Sequence, residues 1–170
     1  MKKGFLLCLC GFISLSLSAQ KTTEPQLAKQ LLQLLDYAKD GFKSIKGEPD
    51  KVLNEKFETS NRYFKTSFKL EEATSSTIHV FYSTVSFNAY FGKNLTKTGG
   101  KELFNYLSQV IKGGFADGFT ITKSFGTADG DYYDHLTVKR DNDKFHSITL
   151  TFVDGDIDEN DPIRVYITVE

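Results

Sequence analysis

The stretch Leu27-Ala28-Lys29-Gln30-Leu31-Leu32-Gln33-Leu34-Leu35-Asp36-Tyr37-Ala38-Lys39-Asp40-Gly41-Phe42, running on to Gly47, decides how the rest of the chain is read. Leu27, Leu31, Leu34, Leu35, Ala38 and Phe42 recur at the spacing of one α-helical stripe, with Gln30, Gln33, Asp36, Lys39 and Asp40 off it. Thr23 and Gln26 fit a capping box, with Pro25 in the first turn, where a missing N–H costs nothing. Gly41 suits the left-handed position that ends a helix. The stretch therefore predicts a helix that leaves through a Gly-Phe joint.

A second run repeats this plan. Leu103, Phe104, Leu107, Val110 and Ile111 form another helical stripe, which Thr98 caps and Gly113-Gly114 stops. The chain then leaves through Gly118-Phe119, an echo of Gly41-Phe42.

Each helix is followed by strand patterns. Arg62 to Leu70 alternates, with Phe64, Phe68 and Leu70 on one face. Thr77 to Tyr90 is rich in β-branched and aromatic residues and reads as one long strand or two short ones. In the second half Phe119-Ile121 opens a strand, Tyr132 to Lys139 and Phe145 to Val153 form two more, and Ile163, Val165, Ile167 and Val169 alternate through a fourth. Leu136 and Val138 must share a face with Ile148, Leu150 and Phe152. Pairing Leu136 with Ile148 does this and leaves Asp141 to Asp143 as the hairpin loop. Lys51 to Ser60 carries no clear pattern.

The expected fold is α+β: two tandem helix-plus-antiparallel-sheet units, residues 20–98 and 99–170, with helices packed on one face of the sheet and the whole forming one compact domain. In outline the plan resembles that of the β-lactamase inhibitor proteins, which are exported and built from two helix-and-sheet repeats. The likeness is one of architecture and no motif carries it.

Residues 1–19 read as a signal peptide. Lys2 and Lys3 precede an apolar run, Phe5 to Leu17, too short for a bilayer core of about 30 Å, and Ser16-Leu17-Ser18-Ala19 places cleavage near Ala19. Leucines precede Cys8 and Cys10 where a lipoprotein site needs a small residue, so these cysteines are read as part of the apolar run. They are the chain's 2 cysteines and leave with the leader, so the mature chain has no disulfide, thiol nucleophile or cysteine metal site. The expected location is periplasmic or secreted. About 150 residues can bury roughly 70% of their unfolded surface, enough to stand on a core alone.

The 21 Lys/Arg and 22 Asp/Glu nearly balance, and removing Lys2 and Lys3 makes the mature chain more acidic. Basic residues outnumber acidic ones in residues 20–98, and the reverse holds in residues 99–170. Without a basic block, nucleic acid is not an expected partner. No second apolar stretch is long enough to span a membrane.

Chemistry-bearing residues are few. The 3 histidines, His79, His135 and His146, fall on different faces or halves, which disfavours a shared zinc ion. There is no Gly-x-Ser-x-Gly elbow, and Thr98-Gly99-Gly100-Lys101 lacks the spacing of a phosphate loop. The acidic segment Asp154 to Asp161 offers Asp154, Asp156, Asp158 and Asp161 to a hard cation such as calcium, but fails the EF-hand pattern at Glu159 and Val165. Asp129, Asp131 and Asp134 pose the same question more weakly. No cofactor is expected beyond this weak calcium site.

Aromatics are abundant, at 15 Phe and 8 Tyr. Tyr63, Phe81, Tyr133 and Tyr166 fall on strand positions that face away from the helices, and outward aromatics on an uncovered sheet are common anchors for a ligand or protein. The expected function is that of an exported, non-catalytic binding or interaction protein of the cell envelope, with a protein or small ligand as partner. The alternatives are a small periplasmic hydrolase using the acidic loop and a calcium-stabilised structural module.

Overall fold

A computed structural model describes residues 24–56, 60–115, 117–128, 131–155 and 163–170. The proposed leader and the capping role of Thr23 lie outside them. The elements in chain order are α1 (Glu24–Ala38), β1 (Lys46–Pro49), α2 (Lys51–Lys56), β2 (Asn61–Thr66), β3 (Ser75–Phe81), β4 (Thr84–Leu95), α3 (Lys97–Gly114), β5 (Phe119–Ala128), β6 (Asp131–Arg140), β7 (Ile148–Asp154) and β8 (Ile163–Val169). The fold is mixed α+β. All neighbouring strands pair antiparallel in one 8-stranded sheet of order β1-β2-β3-β4-β8-β7-β6-β5.

The α1 stripe is buried as its spacing predicts: Leu27, Leu31, Leu34, Leu35 and Ala38, with Phe42 just beyond the helix. From α3 come Phe104, Leu107, Val110 and Ile111. One face of the central strands joins them in a single cluster through Phe87, Ala89 and Phe91 of β4, Val165, Ile167 and Val169 of β8, and Ile148, Leu150 and Phe152 of β7. Each such side chain stabilises the fold by roughly 1.5–3 kcal/mol relative to exposure. Successive residues of a strand point to opposite faces, so the alternation of β8 puts Arg164, Tyr166 and Thr168 on the face away from this core.

The exit from α1 uses two left-handed residues. Gly41 has φ 68° and Phe42 has φ 59°. The Phe42 N–H donates to the Tyr37 carbonyl at 2.8 Å, and the Phe42 carbonyl accepts from Ile45 and Lys46. That tight reversal drops the Phe42 ring into the core.

Two expectations are corrected and one unassigned stretch is filled in. α3 is capped by Thr96, not Thr98: the Thr96 hydroxyl accepts from Gly99 N–H at 3.1 Å. The region around Lys46 to Lys56 holds an edge strand and a short helix, α2. The β6–β7 hairpin is shifted by two residues, with Val138 opposite Ile148 and Leu136 opposite Leu150. The face match is preserved, but the loop is longer. Asp143 explains the shift, because its carboxylate accepts the N–H groups of Phe145 and His146 and so replaces the ladder bonds a tighter hairpin would make.

Asp143 also contacts the His146 ring at 2.8 Å. Burial opposes its ionisation, but the Phe145 and His146 N–H groups and the imidazole outweigh it and hold the carboxyl at about 2, below the ordinary 3.8. The folded-state value is depressed, so the stabilisation is present above pH 3.8 and is lost as pH falls toward about 2. Denaturant melts of Asp143→Asn should therefore show a deficit against the parent at pH 7 that shrinks steadily below about pH 4. A deficit independent of pH would mean that the carboxylate charge is not what holds the loop.

Candidate functional site

Register assembles the site on the sheet face opposite the core. Residues directly paired across strands share a face. Tyr63 of β2 pairs with His79 of β3, which pairs with Ser86 of β4. On the same side of β4 stand Asn88 and Tyr90, opposite Thr168 and Tyr166 of β8. Arg164 follows on β8, opposite Val153, which pairs in turn with Tyr133. All four aromatic residues expected from sequence thus fall on one face, together with His79, Tyr90 and His135.

A recess of about 330 Å³ opens there, lined by residues that include Tyr63, His79, Asn88, Tyr90, Arg164 and Tyr166. It brings Tyr63 and Tyr166 together. Phe81 lies beside it, 44% exposed, and continues a row in which His79 stacks on Tyr63 at 4.6 Å and Phe81 follows at 6.3 Å. Tyr133 is farther along the face. It stacks on His135 at 5.8 Å, and its hydroxyl donates to Asp131 at 3.3 Å. Arg164 donates to the same carboxylate oxygen at 3.3 Å, which links Tyr133 to the rim of the recess.

The polar groups of the recess are held in place by neighbours. The Thr168 hydroxyl donates to Asn88 Oδ1 at 2.8 Å, and Asn88 Nδ2 donates to Ser86 at 3.2 Å. His79 Nε2 contacts Asn61 Oδ1 at 2.9 Å. Tyr63 is fixed through its backbone: Asn54 of α2 accepts from its N–H and donates to its carbonyl, both at 2.8 Å. A side-chain amide here does the work of a neighbouring strand, which is what α2 contributes to the site.

Burial shifts the titration of several of these groups toward their neutral forms. It pushes the Tyr63 phenol up and, with the phenols of Tyr166 and Tyr63 adding to it against Arg164, pushes Tyr90 up as well. It pulls His79 below its usual value. The recess sets these aromatic rings beside the Arg164 guanidinium and the Glu170 side chain. It can stack flat groups and exchange hydrogen bonds with neutral polar ones.

The other two histidines stand apart from it. His135 contacts Thr151 at 3.0 Å and is held below its usual value by burial, against the opposing pull of Asp134. His146 belongs to the β6–β7 loop. Among the described residues no group of three His, Cys, Asp or Glu could hold a metal ion. Of the carboxylates considered for calcium, Asp154 is buried and paired with Lys97 Nζ at 2.7 Å. Asp156, Asp158 and Asp161 lie outside the described residues. No helix among the described residues is long and apolar enough to cross a membrane.

His79, Tyr90, Asn88 and Arg164 are not among the binding residues expected from sequence. A signal existed: each shares strand parity with Tyr63 or Tyr166 once the β3–β4 turn is placed at Tyr82-Ser83. Compared with known proteins, the chain matches no family model, no curated protein and no solved structure.

Proposed function

We propose that the chain is an exported, non-catalytic binding protein of the cell envelope, which takes a protein or small ligand on the sheet face opposite its core. In this reading two tandem units, each a helix followed by antiparallel strands, place both long helices on the core face and leave the other for recognition. The strand order supports it, because β1-β2-β3-β4 is mirrored by β5-β6-β7-β8 about the central β4–β8 pair. The pattern of Lys2, Lys3 and the apolar run to Leu17 supports export to the periplasm or beyond, with cleavage near Ala19.

The observation that carries the proposal is the recess itself: Tyr63, Tyr90 and Tyr166 converge with His79 and Asn88 on the sheet face opposite the core. Tyrosine offers a large flat contact with few rotatable bonds and a hydroxyl at its tip, so it costs little entropy to order on binding. The polar groups are fixed by each other before any ligand arrives.

Tyr63→Ala and Tyr166→Ala test it. Each should weaken capture of an envelope partner by roughly 30-fold, the effect of losing a residue worth about 2 kcal/mol at an interface. Because both side chains are only half-buried, the melting temperature should move little. Undiminished capture by both variants, with folding intact, would remove this face as the binding surface.

A further inference from the structure

The two edges of the sheet are built differently. β1 is 4 residues long, Lys-Gly-Glu-Pro, with every position exposed. It carries two charges and a proline, the devices that keep an edge from accepting another strand. Next to it, Asn54 occupies the backbone groups of Tyr63. β5, at the other edge, runs for 10 residues, Phe119 to Ala128, without a proline and with Lys123 as its one charged residue. It pairs with β6 along its whole length. Among the described residues no backbone hydrogen bond reaches its outer side. Residues 122–128 of β5 are all exposed, and Phe125 is 77% exposed. On an antiparallel edge strand every second residue directs its N–H and C=O outward. A long edge of low charge that displays a phenylalanine is a template for a further strand.

The β5 sequence also says which strand fits. Antiparallel pairing of two β5 strands about a two-fold axis normal to the sheet keeps the core faces of both copies on the same side. Centring it on Ser124 aligns residues 120–128 of each copy. Lys123 then stands opposite Phe125 of the second copy, Ile121 opposite Thr127, and Thr122 opposite Gly126. Lys123 and Phe125 lie on the same face, since their β6 partners are Leu136 and Asp134. A lysine over an aromatic ring is favourable, and in this chain the Lys123 ammonium already stands 5.8 Å from the Phe104 ring. Shifting the centre to Lys123 would set two lysines against each other, and shifting it to Phe125 would shorten the overlap.

We propose that β5 is a self-association edge, through which a second copy of this chain adds in antiparallel register about Ser124 to form one continuous sheet of two copies. Such an interface is isologous, so it closes at a dimer and leaves β1 as the outer edge at both ends. The dimer doubles the number of recesses on the open face.

Charge reversal tests both the pairing and the register. Sedimentation velocity of the purified protein across a concentration series should show a monomer–dimer equilibrium. Phe125→Lys puts a lysine opposite Lys123 twice per dimer and should weaken association by about tenfold or more. Lys123→Glu combined with Phe125→Lys restores opposite charges across the axis and should recover association, which simple loss of an apolar side chain would not do. Hydrogen exchange of the unsubstituted protein gives a readout independent of any variant: amides in 119–128 should gain protection as concentration rises. A parent that is monomeric throughout, with β5 amides exchanging at the same rate at every concentration, overturns the proposal. So does a Phe125→Lys variant that dimerises like the parent. Failure of the double variant to recover overturns the Ser124 register. Tyr63→Ala leaves self-association unchanged, which keeps this result separate from the ligand-binding reading.

Discussion

Gly100→Ala should destabilise the protein, although alanine is the better helix former. Gly100 lies in the first turns of α3, and a Cβ placed there would stand 2.7 Å from Ile163 Cγ2 and 2.9 Å from Phe152 Cε2. Neither neighbour can easily move away. Phe152 is fully buried, and Ile163 is anchored in β8 opposite Leu95. Glycine to alanine inside a helix normally gains about 0.5–1 kcal/mol. Overpacking a well-filled core typically costs about 1–3 kcal/mol, so the net effect should be a loss. Gly100→Leu should lose several times more and leave little folded protein at 37 °C, because the total stability of such a domain is about 5–15 kcal/mol. Gly113 supplies the control in the same helix. Nothing lies within 4 Å of its added Cβ, so Gly113→Ala should be neutral or stabilising. Urea denaturation of both alanine variants checks the opposite signs. If Gly100→Ala and Gly113→Ala shifted the midpoint alike, close approach of α3 to the sheet would not be the reason for Gly100.

Phe42→Ala should cost about 3–5 kcal/mol, the range for deleting a buried aromatic ring. The ring is completely buried and packs against Phe87 at a centroid distance of 6.4 Å. Its backbone, at φ 59°, is one that alanine adopts no more readily than phenylalanine. Truncation therefore removes packing and leaves the backbone strain in place. Leucine would fill part of the space and should recover a substantial fraction of the loss. Thermal denaturation of the two variants gives the comparison. A loss below about 1 kcal/mol for alanine would show that the joint after α1 can close without its aromatic plug.

What could be read from residues alone followed the strength of local periodicity. The α1 stripe and the alternation of Ile163, Val165, Ile167 and Val169 are long and regular, and both appear in the structure as read. Leu136 and Val138 were placed on the right face because parity is a property of the strand alone. Their partners were misplaced by two residues because the loop is set by the Asp143 carboxylate, a side chain to backbone bond that periodicity does not register. Within Lys51 to Ser60, α2 has no fully buried residue, so no apolar spacing marks it, and the preceding β1 is exposed throughout. The Thr96 cap was missed in favour of Thr98 because two threonines stand beside the same glycine pair, and the choice depends on where the helix meets β4.

For the face opposite the core, Tyr63 and Tyr166 could be nominated one strand at a time. Their meeting required the β4–β8 pairing, which joins residues far apart in the chain and leaves no local trace. The same holds for His79, whose place beside Tyr63 depends on the β2–β3 register.

The position of β8 has a kinetic consequence. This strand lies between β4 and β7, so the middle of the sheet joins strands far apart in the chain. β4 and β8 pair Phe87 with Val169 and Asn88 with Thr168, contacts that close a very long loop. Contacts at such separation are slow to form, because the entropy of loop closure is lost before they return any stability. Until β8 docks, β4 and β7 each lack one of the two partner strands they have in the finished sheet. Residues 163–169 must therefore be in place before the middle of the sheet can close, whatever the order in which the other strands pair.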